Sequence, residues 1–113
     1  MVDHHSSATW ANHKVNASLC LTKSRGRSGG FWLAKQKRHM TIIEMMKLQG
    51  IRPPTVEGWS AFLSDSAMGA ALGNAMSVNV LERLVPKALK AAGLIPDFED
   101  KWAVEGHNPF LHV

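Results

Sequence analysis

Helical spacing and strand-like alternation divide most of this 113-residue chain into recognisable pieces. Thr41-Ile42-Ile43-Glu44 has the Thr-x-x-Glu form of a capping box and opens a short helix in which Ile42, Met45 and Met46 share one face. Gly50 ends it, and Pro53-Pro54 prevents its return. Further on, Ser64-Asp65-Ser66 offers N-caps for a second helix carrying Ala67, Met68, Ala70, Ala71 and Leu72, whose small residues permit close approach. Gly73-Asn74 is expected to break that helix. Ser77 then caps a third, in which Leu81, Leu84, Val85 and Ala88 lie one above another, and Gly93 terminates it. Pro86 lacks an N–H and crowds the preceding turn, so a kink or brief break is expected there.

Upstream, Leu19-Cys20-Leu21-Thr22 and Phe31-Trp32-Leu33-Ala34 read as strand-like pieces around a loop rich in glycine, serine and arginine. Residues 1–18 show no periodicity and are expected to be irregular. Residues 55–63 form a connector whose Trp59 and Phe62 are expected to pack beneath the loop. The tail, residues 94–113, reads as a loosely ordered extension with one helical turn near residues 99–104. Its acidic cluster is followed by Trp102.

Gly73-Asn74-Ala75-Met76-Ser77-Val78-Asn79-Val80 joins the last two helices, within a stretch spanning residues 64–89. A bend before a helix N-terminus aims free N–H groups and the positive end of the dipole forward, a natural seat for a carboxylate. A plain joint between helices with no ligand is the other reading of the same residues.

At 45% apolar and 19% charged residues, the composition is that of a globular chain and not of a disordered one. The length suits one small domain. A lone cysteine, Cys20, excludes an internal disulfide and fits a reducing compartment, and no apolar run approaches membrane-span length. With no secretory signal pattern, an intracellular location is expected. The first fifty residues carry eight Lys or Arg against Asp3 and Glu44, whereas the remainder carries five against seven acids. The basic half is therefore the candidate nucleic-acid face, with a solvated basic loop as the alternative.

Within that half, Lys23, Arg25 and Arg27 supply phosphate donors with Ser24 and Ser28 beside them, and the glycines allow close backbone approach. The spacing is not that of a P-loop. Phe31 and Trp32 are candidates for base stacking, though adjacent aromatics closing a hairpin are more often core. His4 and His5 point in different directions on any regular element and have no further ligand at metal spacing, so no metal is expected.

Arg38-His39-Met40-Thr41 with Glu44 and Leu48-Gln49-Gly50, followed by Ser64-Asp65-Ser66 and Gly73-Asn74-Ala75-Met76-Ser77-Val78-Asn79-Val80, resembles the last two conserved motifs of the cytosine-C5 DNA methyltransferases. Leu21-Thr22-Lys23-Ser24-Arg25-Gly26 and Gly29-Gly30-Phe31-Trp32 resemble the exit from that family's target-recognition region. The resemblance covers roughly residues 19–93. It divides the chain into an N-terminal segment, 1–18, the methyltransferase-like part, 19–93, and a tail, 94–113.

The resemblance implies that Asn74 and Met76 stand where the family closes over S-adenosylmethionine, and that Lys23, Ser24, Arg25 and Arg27 contact DNA. It implies a nuclear location in a eukaryote. In fold, it implies a C-terminal fragment of a Rossmann-like α/β methyltransferase domain; alone, such a fragment is expected to be mainly helical with a short basic hairpin. The family's chemistry also needs a cysteine after proline, a glutamate in a Glu-Asn-Val triplet and a glycine-rich cofactor turn. None is present: Cys20 follows Leu19 and reads as a small buried hydrophobe. The expectation is a segment inactive alone, with DNA and a complementary catalytic half as partners. The competing reading is a non-enzymatic basic module for nucleic acid or protein.

Overall fold

The computed structural model describes residues 1–7, 9 and 12–100. Two compact units meet in sequence between Ala75 and Met76. The first is mainly helical with a three-stranded antiparallel sheet in the order β1-β2-β3: β1 Val2–Asp3, β2 Phe31–Leu33 and β3 Arg38–His39. Its helices are α1 Lys23–Ser28, α2 Ile42–Leu48 and α3 Asp65–Asn74, with 3-10 turns at Pro53–Val56 and Trp59–Ala61.

The glycine-rich segment after Thr22 is a helix and not the expected loop. Gly26 in its middle disfavours helix by about 1 kcal/mol relative to alanine, and tertiary contact outweighs that preference. A Cβ built on Gly26 would lie 2.8 Å from the carbonyl carbon of Gly69, and one on Gly69 would lie 2.6 Å from that of Gly26. A Cβ on Gly73 would lie 2.5 Å from the backbone nitrogen of Lys23. The backbones of α1 and α3 thus touch where side chains would separate them. Gly73 is consequently a packing position in the last turn of α3, and the helix ends at the expected Gly73-Asn74 pair, with Ala75 as its C-cap.

α1 stops at Gly29, whose φ of 64° lies in the left-handed region that glycine adopts freely. The Gly30 N–H reaches the Arg25 carbonyl at 3.0 Å and the Gly29 N–H that of Gly26 at 3.4 Å, the paired bonds of a Schellman ending. The chain then enters β2. The hairpin is formed by β2 and β3 and not by residues 19–22, which are outside any strand. The N-terminal segment, expected to be irregular, supplies β1 at the other edge of β2.

Beneath the sheet and helices lies a core of Leu19, Phe31, Met40, Met45, Met46, Met68 and Leu72. Met45 and Met46 are core residues, as their helical spacing implied. Trp59 packs against this cluster, whereas Phe62, expected beside it, is 88% exposed. Cys20 is also exposed, correcting the expectation of a buried thiol. The buried Leu19 takes the neighbouring inward position instead.

The second unit contains α4, Val78–Ala91, which runs through Pro86 as one helix despite the expected break. It ends at Gly93 (φ 72°), with the Leu94 N–H on the Leu89 carbonyl and the Gly93 N–H on that of Lys90, both 3.0 Å. No residue of α4 is buried; Val80, Leu84 and Val85 are exposed. Arg83 pairs with Asp100 at 2.9 Å, and Lys90 pairs with Asp97. Trp102 and most of the expected turn at 99–104 lie outside the described residues.

The backbone contact sets the sign of one substitution. Alanine in place of glycine normally strengthens a helix by about 1 kcal/mol, but Gly69→Ala should destabilise this protein by about 1–3 kcal/mol by forcing α1 and α3 apart. Urea unfolding measures it, and a raised midpoint would contradict the contact.

Candidate functional site

The expected DNA-contacting residues all lie on α1 or next to its cap, but they do not form one cationic surface. Arg25 turns toward β1, where its Nε lies 2.9 Å from Oδ1 of Asp3. Burial opposes ionisation of Asp3, yet the hydrogen bond from Arg25, the backbone N–H of His5 and the Arg25 charge together hold its carboxyl below its ordinary value. Arg25 is thus a tie between helix and sheet. Lys23 and Arg27, one helical turn apart, are exposed with Ser24, and no acid among the described residues pairs with either cation.

Arg27 also borders a cavity of about 490 Å³ whose walls include Met40, Ile43, Met45, Trp59 and Asp65. The cavity has an apolar floor, and Arg27 and Asp65 stand on its lining as opposite charges.

At the start of α2, the capping box expected from Thr41 and Glu44 is complete. The Glu44 N–H donates to Oγ1 of Thr41 at 3.2 Å, and the Thr41 N–H donates to Oε2 of Glu44 at 2.8 Å. Arg38 adds a two-pronged contact to the same carboxylate, at 2.9 and 2.6 Å. This hydrogen-bonding by Arg38, opposed by partial burial and reinforced by Thr41 and by the Arg38 charge, lowers the Glu44 pKa to about 2. The spacing Arg38…Thr41…Glu44 is therefore a folded electrostatic unit that ties β3 to α2.

Gln49 does something its place in the Leu48-Gln49-Gly50 string did not disclose. Its side chain is buried, and Nε2 donates to the carbonyl of Leu72 at 2.7 Å and to that of Ala75 at 3.2 Å. These carbonyls stand at the C-terminal end of α3, where the Leu72 carbonyl also accepts from the Ala75 N–H at 3.3 Å. Nothing in the local sequence marks Gln49 for this role, because the partners of a buried amide are set by tertiary contact. The bond joins the Leu-Gln-Gly segment to the end of the Gly-Asn segment.

Asn74 is exposed as the last residue of α3, and Met76 is 66% exposed. The boundary between the two units falls between them, so Asn74 belongs to the first unit and Met76 to the second. Both are accessible to a ligand. Asn74 offers a side-chain amide and Met76 a thioether, each described within its own unit.

Among the described residues, no group of three or more His, Cys, Asp or Glu side chains is arranged to hold a metal ion, and no helix is long and apolar enough to cross a membrane. Compared with models of protein families, with curated proteins and with solved structures, the chain matches none.

Glu44 generates a pH prediction. Its folded pKa is depressed, so its contribution is fully present above the unfolded carboxylate value and is lost as pH falls through that value toward about 2. Because the carboxylate is 34% exposed, solvent reduces the effect, and Glu44→Gln should cost about 1 kcal/mol near neutral pH. Comparing urea midpoints of the two proteins from pH 7 to pH 2.5 should show the difference shrinking with acidification. A difference that persists unchanged at the acid end would refute the assignment.

Proposed function

We propose that the chain is the C-terminal segment of a cytosine-C5 DNA methyltransferase, which completes an S-adenosylmethionine pocket when a catalytic half is supplied and contacts the DNA backbone through α1. The observation that carries this reading is the Gln49 bond to Leu72 and Ala75, because it physically joins the two segments whose order and spacing resemble the family's last two motifs. Asn74 would donate and accept beside the cofactor's carboxylate, and Met76 is the other residue that the resemblance assigns to the cofactor. S-adenosylmethionine supplies the methyl group in this reading. Lys23, Ser24 and Arg27 meet phosphates, while Arg25 positions the helix that carries them.

The chain's own residues give no nucleophile for cytosine. Cys20 is exposed, but its Leu19-Cys20 context is not the family's proline-cysteine, and no glutamate lies in a Glu-Asn-Val triplet. The exposed Val80, Leu84 and Val85 on α4 are the surface through which a complementary half would dock.

A second reading has its own support: the unpaired, exposed Lys23 and Arg27 on α1 suit a duplex-binding module with no transfer chemistry. One experiment separates the two. The purified chain is incubated with labelled S-adenosylmethionine and cytosine-containing duplex, alone and with a family member's N-terminal half carrying the proline-cysteine segment. The methyltransferase reading expects no label in DNA from either part alone, and label from the mixture that falls at least about tenfold with Asn74→Ala. Failure of the mixture to label DNA, while the chain still binds duplex, selects the binding module.

A further inference from the structure

The outward face of the small sheet carries rings that neither the core nor the readings above use. Strand pairing sets Trp32 across from Val2 on one side and from His39 on the other. Successive strand residues point to opposite faces, so Phe31, 1% exposed, goes into the core and Trp32 goes outward. His4, one position past β1, returns to the side of Trp32. The Trp32 and His39 ring centroids are 5.0 Å apart and nearly perpendicular, and the His4 centroid lies 5.0 Å from that of His39 and 6.3 Å from that of Trp32. Trp32 is half-buried within this group, whereas His4 and His39 are exposed.

The turn that joins the two ring-bearing strands is basic. Lys35 and Lys37 are exposed in the turn joining β2 to β3, and no acid among the described residues pairs with them. Lys14 is exposed on the segment that bonds back to Met1, whose ammonium donates to the Lys14 carbonyl at 2.8 Å. Asp3 is the one acid in the first forty residues, and Arg25 occupies it. Aromatic rings beside a basic turn supply the two contributions that sequence-tolerant single-strand binders use, base stacking and backbone attraction. A duplex keeps its base faces stacked inside and cannot use the rings in this way.

We propose that this face of the sheet is a stacking platform for unpaired bases of single-stranded nucleic acid, with Trp32 and His39 against the bases and Lys35 and Lys37 beside the phosphates. The platform is independent of the methyltransferase reading and shares no residue with the α1 contacts. Its ligand is an exposed base on a flexible backbone, where α1 would meet the phosphates of a duplex.

Fluorescence anisotropy of the full chain with a labelled oligothymidine of about 16 nucleotides, a length within the usual site range, and with a GC-rich duplex of equal length tests it. The single strand should bind more tightly than the duplex. Trp32→Ala should weaken single-strand binding by about fivefold or more, whereas Trp32→Phe, which keeps a ring, should retain most of it. Removing Lys35 and Lys37 should lower the salt slope by about 0.7 per lysine. Circular dichroism checks the fold of Trp32→Ala; if that variant unfolds, the exposed His39→Ala decides in its place, with an expected loss of about threefold or more. Absence of single-strand binding at low salt, preference for the duplex, or unchanged affinity in the folded ring variant would overturn the proposal, whatever the methylation assay shows.

Discussion

Three glycines let two helical backbones meet at a distance that any side chain would forbid: Gly26 of α1 against Gly69 of α3, and Gly73 of α3 against the start of α1. Packed helices ordinarily keep their axes about 8–10 Å apart because side chains fill the gap. Here the gap is absent. The contact explains why a six-residue segment with a central glycine is helical at all, since an isolated helix of that length is unstable in water. It also fixes where the chain leaves α1, and so where β2 begins. Arg25 reaches Asp3 from this anchored helix and ties β1 to it.

Around that contact the rest of the first unit is held by flexible apolar side chains and by a few polar groups that satisfy helix ends. Four methionines in the core adapt to the irregular space between short elements better than branched side chains would. The Thr41–Glu44–Arg38 group closes the start of α2, and Gln49 closes the end of α3 from below. Each of these adds a side-chain partner to backbone groups at a helix end, exposed at the start of α2 and partly or fully buried at the end of α3. In the second unit, α4 shows the opposite balance. It is strongly two-sided in sequence, has no buried residue and ends in a well-formed glycine cap. Its helical form is local; the apolar stripe that the spacing places on it is left for another surface.

The capping box, the core methionines, the N-cap at Ser64 and the stop at Gly93 were all legible because each is decided within one or two turns of chain. Residues whose conformation depends on distant neighbours were misread. Gly26 looked like a loop glycine, and Gly73 showed only as a helix end, since nothing local shows that each faces another backbone. Residues 1–18 looked irregular because a two-residue strand has no period to detect, and its partner lies about thirty residues away. Arg25 looked like a phosphate donor until its position opposite Asp3 was known. Of the candidate site, the exposed pair Lys23 and Arg27 stands as charge and spacing implied, while the buried bonds of Gln49 lay beyond pattern reading because a glutamine's partners are tertiary. Phe31 and Trp32 were an ambiguous pair in sequence, and strand alternation resolves them into one core ring and one surface ring.

The α1 contacts and the ring-bearing sheet both belong to the first unit, and that unit depends on the glycine contact. Nuclear Overhauser spectroscopy of the labelled protein observes it without any substitution. The account predicts strong cross-peaks between the α-protons of Gly26 and Gly69, two residues 43 positions apart in sequence. A well-dispersed spectrum of a folded protein in which those cross-peaks are missing would contradict it.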